Sequence, residues 1–178
     1  MAVINSKYYH RLSTLFRGQS FDLDVMPDGP RANYVYLAPR GMHIGQYWSF
    51  QPMSDRGSAY AASSSRIETY RVSSRFKGIT MDLEYVRGGT DDLRVRLVSR
   101  AAYLGQFWIM TDVGNTAKVD VGLTGAYVNL TTINLHGAGY KLDVTNGGAW
   151  NNYGIMRPSA QITSQLWSLE RTTVGVAA

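Results

Sequence analysis

The 178-residue chain has no cysteine, which excludes disulfides, thiol nucleophiles and thiolate metal sites. It has no run of about 18 apolar residues, so no membrane-spanning helix and no membrane insertion are expected. The opening stretch, MAVINSKYYHRLSTLF, lacks the apolar core of a secretory leader, and on that ground the chain is expected in the cytoplasm. Histidine is scarce and scattered: His10, His43 and His136 have no metal-ligand spacing. No glycine-rich phosphate loop leads from a strand into a helix, and no GxSxG elbow occurs. Neither a metal nor a cofactor is expected, and an enzyme is not expected. No segment carries a helical apolar period.

What is present favours strands. Eighteen glycines and twelve tyrosines, with 44% hydrophobic and 17% charged residues, describe a folded chain rich in turns and extended segments. The net charge of +5 rests on arginine, with fourteen Arg against four Lys. In LRVRLVSR (93–100), Arg94 and Arg96 alternate with Val95 and Leu97, which puts both on one strand face. That face reads first as solvated, with an acidic partner, nucleic acid or an anionic glycan, as the weaker alternative.

The chain holds four tryptophans, and three of them follow a glutamine by two positions: GQYWSF (45–50), GQFWIM (105–110) and SQLWSL (164–169). Gln46, Gln106 and Gln165 lie 60 and 59 residues apart, so three such steps use the whole chain. A second motif stands upstream of each glutamine, FDLDV, MDLEY and YKLDV, with its fourth residue, Asp24, Glu84 or Asp143, 22 positions before the glutamine. Its alternation marks a half-buried strand. Turn-rich stretches (MPDGPRAN, VRGGTDD, TNGGAWNN) lead into strands YVYLAP, RVRLVS and YGIMRP, and YHRLSTL, YRVSSRF and YVNLTTI supply a further strand each. Four strands in each of three units predict an all-β chain, a single β-trefoil domain over 1–178 with repeats of about 1–58, 59–118 and 119–178. The linkers at 52–65 and 112–125 join repeats within one fold. In each motif the tryptophan is expected in the core, and the glutamine as a polar staple to turn backbone of its own repeat. The outward acids Asp22 and Asp24, or Asp82 and Glu84, have a spacing that suits an inverting glycosidase. Alternating acids on a strand read first as a solvated face.

These Gln-x-Trp repeats resemble those of the ricin B-like lectin family, over the whole chain. The resemblance implies carbohydrate binding, often of galactose or N-acetylgalactosamine, in one shallow pocket per repeat. Such a pocket uses an acid on the second strand, an aromatic platform on the third, and an asparagine before the motif glutamine. The acid falls on Asp24, Glu84 and Asp143. The platform position falls on Ala38, Val98 and Arg157, and the asparagine position on Gly45, Gly105 and Ser164, which departs from the family pattern in every copy. Substitutes stand nearby: Tyr36 in the first repeat, Tyr153 and Trp150 in the third, with amides Asn33 and Asn152 in the preceding turns and His43 before Gln46. Neutral-glycan sites are therefore expected in the first and third repeats, from Asp24, Asn33, Tyr36 and His43 and from Asp143, Asn152 and Tyr153. The middle repeat is expected to bind weakly or not at all. The layout, without leader or cysteine, also resembles cytoplasmic fungal defence lectins; glycans or glycoproteins are the expected partners, and useful avidity would need two sites on one chain or a homodimer. The alternative is a degenerate trefoil that has lost sugar binding and acts through its loops, as a protease inhibitor or interaction scaffold.

Overall fold

A computed structural model describes residues 4–53, 68–113, 127–160 and 162–176. The linkers at 52–65 and 112–125 lie almost wholly outside the described residues. Twelve strands are formed among them: β1 (Tyr8–Thr14), β2 (Phe21–Val25), β3 (Val35–Pro39), β4 (Trp48–Pro52), β5 (Thr69–Ser74), β6 (Met81–Tyr85), β7 (Val95–Ser99), β8 (Trp108–Asp112), β9 (Tyr127–Thr132), β10 (Tyr140–Val144), β11 (Gly154–Pro158) and β12 (Trp167–Gly175). Besides single turns of 3-10 helix, one short α-helix, α1 (Ile133–His136), joins β9 to the third hairpin. At four residues it is too short to leave a periodic signal in the sequence.

The first and fourth strands of each repeat close a six-stranded barrel in the order β1-β12-β9-β8-β5-β4, and the second and third form three hairpins. This is a β-trefoil. Closure leaves the barrel without an edge. Within the hairpins the register sets each acid opposite one residue of the third strand: Asp24 faces Tyr36, Glu84 faces Arg96 and Asp143 faces Ile155.

The three motif tryptophans are fully buried. Each fills the core with its ring while its indole N–H donates to a backbone carbonyl of the second strand: Trp48 to Leu23 at 2.8 Å, Trp108 to Leu83 at 2.7 Å and Trp167 to Leu142 at 3.0 Å. Barrel and hairpin are thus pinned together by the same side chain in all three repeats. Leu23, Leu83 and Leu142 stand on the inner face of the second strands beneath them, also buried.

At the far end the hairpins meet about the pseudo-threefold axis. Leu37 N–H donates to Asn152, Leu97 to Asn33 and Met156 to Leu93, each at 2.8 Å, so that every hairpin takes a bond from one neighbour and gives one to the other. The accepting residues Asn33, Leu93 and Asn152 share a left-handed backbone, with φ of 70°, 64° and 68°. Asparagine tolerates that conformation better than most side chains, which accounts for two of the three residues there.

Candidate functional site

Gln46, Gln106 and Gln165 are buried and use their amides in the same way. The Gln46 carbonyl accepts from Gly41 N–H at 2.9 Å, and its amide donates to Pro39 O at 2.9 Å and to Asp24 at 3.2 Å. Gln106 bonds Ala101, Ser99 and Glu84, and Gln165 bonds Ala160, Pro158 and Asp143. The glutamine therefore does two jobs. It staples the loop before the fourth strand, and it holds the carboxylate of the second.

In the first repeat that carboxylate lines a hollow of about 440 Å³ with Tyr36, His43, Ile44, Pro27 and Phe76. Asp24 Oδ1 accepts from Val25 N–H at 2.7 Å and Oδ2 from Gln46, so each oxygen keeps capacity for a further donor. Burial pushes the Asp24 pKa up, against the lowering effect of the Val25 and Gln46 bonds and of His43. Gly45 leaves room for that carboxylate: a Cβ there would lie 2.0 Å from Asp24 Oδ1, so this carboxylate position and an asparagine at 45 exclude each other. Of the residues singled out in the sequence, Asp24, Tyr36 and His43 come together. Ile44 and Phe76 were not singled out, and Phe76 enters from the following repeat.

The middle repeat has a counterpart of about 400 Å³, lined by Glu84, Arg87, Tyr103, Leu104 and Asn134. Tyr103 is 63% exposed and holds the place of His43, three residues before the motif glutamine. Asn134 stands where Phe76 does and bonds the Tyr85 hydroxyl. Position could have found Tyr103 in the sequence, since it matches His43 in the repeat alignment.

In the third repeat the selected residues do not gather around the acid. Asp143 is fully buried, accepts from Val144 N–H at 2.6 Å, and has the Arg157 guanidinium 4.0 Å away. Tyr153 is buried instead against Tyr36 of the first hairpin, with ring centroids 5.7 Å apart, and against Trp150 at 5.1 Å. Asn152 and Asn33 sit on the axis, where their backbone carbonyls serve the hairpin ring; neither lines the Asp24 hollow. Their turn position, not sugar chemistry, accounts for both amides.

Two readings of surface charge are corrected. Asp22 and Asp82 are not solvated: both are fully buried in ion pairs, Asp22 with Arg11 at 2.6 Å and Arg40 at 3.0 Å, Asp82 with Arg71 at 2.5 Å and Arg100 at 2.9 Å. The hairpin's second face lies against the barrel strand that carries the arginine. Arg94 and Arg96 are half-buried against the rings of Trp150 and Tyr34, at 4.7 and 5.7 Å, because the hairpins fold their third strands onto one another. Among the described residues no group of three or more His, Asp or Glu is placed to hold a metal ion, and no helix is long and apolar enough to cross a membrane.

No protein-family model matches this chain, and no curated protein does. Solved structures do. ThreeFoil, a designed threefold-symmetric protein, is 22% identical with a TM-score of 0.63, over 90% of this chain and 96% of its own. A ricin B-like lectin from Macrolepiota procera, solved with lactose, is 14% identical with a TM-score of 0.58, over 96% of this chain and all of its own. A mosquitocidal holotoxin is 14% identical with a TM-score of 0.70; it is matched over 97% of this chain, which spans 18% of the toxin's length. At these identities the likeness is one of fold, and the fold this chain shares with all three is the β-trefoil.

Proposed function

We propose that this chain is a carbohydrate-binding protein whose principal site is the Asp24 hollow of the first repeat, and that it binds its ligand without chemical change. The observation that carries the reading is the meeting of Asp24, Tyr36 and His43 in one hollow, with a carboxylate fixed by Gln46 and Val25. A carboxylate so held accepts from two vicinal hydroxyls, the Tyr36 ring covers an apolar sugar face, and His43 supplies a polar contact at the rim. The lactose complex of the lectin with the same fold supports a neutral sugar, of galactose or N-acetylgalactosamine type, as the first class to try. Catalysis by the Asp22 and Asp24 pair is disfavoured by geometry: Asp22 is closed off by Arg11 and Arg40 and does not line the hollow.

The third repeat is not part of this proposal, since Asp143 lies under Arg157 and its tyrosine backs Tyr36. A single shallow site gives millimolar to micromolar affinity, about −4 to −8 kcal/mol, so a glycan or glycoprotein held more tightly would engage two chains or a second hollow. A neutral-glycan array followed by calorimetry tests the reading. Asp24→Ala should abolish binding while Asp143→Ala leaves it unchanged. Binding that survives Asp24→Ala moves the site elsewhere. A parent protein that binds no neutral glycan leaves the loop-acting trefoil, an inhibitor or scaffold, as the better account.

A further inference from the structure

Three arginines, Arg31, Arg94 and Arg157, gather at the hairpin cap. The Arg31 guanidinium lies 4.2 Å from the Trp150 ring centroid and donates to Ala149 O at 2.5 Å. Arg94 lies 4.7 Å from the same ring. Its guanidinium has no hydrogen-bond or ion-pair partner among the described residues, and Nη1 is buried without one. Burial lowers the Arg94 pKa, the charges of Arg157 and Arg31 lower it further, and Asp91 opposes them, so Arg94 stands in the field of both other arginines. Two acids stand beside them. Asp91 accepts from the Tyr34 hydroxyl at 2.7 Å, and Asp143 meets Arg157 at 4.0 Å while bonded to Val144 and Gln165.

We propose that this cap is a second binding site, for the sulfate ester of a glycan chain, with Arg94 and Arg31, which meet Trp150, and the neighbouring Arg157 as donors. Planar guanidinium forks match the oxygens of a tetrahedral oxyanion, and an unpaired, desolvated one gains most from meeting it. The rings account for the choice of carrier. A nucleic-acid base would need an open aromatic face, but Trp150 already meets Arg31 and Arg94, with Tyr34 at 5.3 Å and Tyr153 at 5.1 Å. A sulfated glycan brings the anion without a base to stack. None of the three arginines lines the Asp24 hollow, so the two sites stand or fall separately.

The test is calorimetry with a heparin-derived hexasaccharide over a salt series, beside a single-stranded DNA oligonucleotide of equal charge. The parent should bind the hexasaccharide more tightly than the DNA, with an affinity that falls as salt rises. Arg94→Gln and Arg31→Gln should each weaken it about tenfold. Arg75→Gln, at an exposed arginine on the barrel, and Asp24→Ala should leave it unchanged. Should Arg94→Gln fail to fold, Arg31→Gln and Arg157→Gln, at partly exposed side chains, carry the same expectation. Absence of hexasaccharide binding, equal loss with Arg75→Gln, or no loss with the cap variants would overturn the site; tighter binding of DNA would overturn its ligand.

Discussion

The first two repeats and the third solve the same packing problem with different chemistry. In the first, Arg11 on the barrel reaches Asp22 on the hairpin, and also donates to Gln46 at 2.9 Å and Gly41 O at 2.6 Å. The second repeats this with Arg71, Asp82, Gln106 and Ala101. In the third, the matching positions hold Asn129 and Lys141, and Ser159 stands in the place of Arg40 and Arg100. Asn129 donates to Gln165 O at 2.7 Å, and burial lowers the Lys141 pKa. Yet Gln165 keeps the bonds of Gln46 and Gln106 to loop and acid, and Trp167 keeps its place. The glutamine and tryptophan suffice for the geometry, and the ion-pair clamp is an addition. That agrees with the modest net stability of buried ion pairs, set against the large penalty for breaking one.

Four measurements press on this comparison. The largest effect should be common to all repeats: Trp48→Ala, Trp108→Ala and Trp167→Ala should each cost about 3–5 kcal/mol in denaturant unfolding. A much smaller loss at Trp167 would mean that the third repeat is held differently after all. Next, Arg71→Ala should cost about 3 kcal/mol, because Asp82 is left buried with only Arg100 as counter-charge. Asn129→Ala should cost about 1 kcal/mol, the worth of one hydrogen bond. Equal losses would remove the distinction between clamped and unclamped repeats.

Replacing Gln46, Gln106 or Gln165 by leucine should cost about 1–3 kcal/mol through unpaired loop groups, and comparable melting of all three variants would show the staple to be independent of the clamp. The smallest effect is on binding. Hydroxyl donors prefer the ionised Asp24, whose pKa is raised above the ordinary 3.8, so sugar affinity should fall on acidification before an ordinary carboxylate titrates. Asp24→Asn should remove that pH dependence. The residue's own contribution to stability runs the other way. The neutral form is the better buried, so that contribution is complete below 3.8 and is lost as pH rises through the raised value.

How far the sequence could be read follows from these residues. Spacing marks the tryptophans and glutamines as a repeat, and alternation with turn signals places the strands within it, because a repeated period survives drift in everything between. Alternation assigned Asp22 to a face of its strand, but not what covers that face. The cover is Arg11, eleven residues earlier, and the same interval separates Arg71 from Asp82. The loss of arginine at 129 together with aspartate at 141 was a readable sign of their partnership. Tyr153 was the harder case, since nothing local announces that a third-repeat ring backs Tyr36 of the first.

The ring of bonds at the hairpin cap gives the molecule a kinetic character. Its links join residue 37 to 152, 97 to 33 and 156 to 93, so no pair of neighbouring repeats can complete it. Closing such long loops costs chain entropy before the ring gives anything back, which places its formation late on the folding path. Once closed, opening any hairpin severs two of the three links. The amides of Leu37, Leu97 and Met156 should therefore exchange with solvent at a common slow rate set by global unfolding, and a cap that forms last should also be the part that ties the lifetimes of all three repeats together.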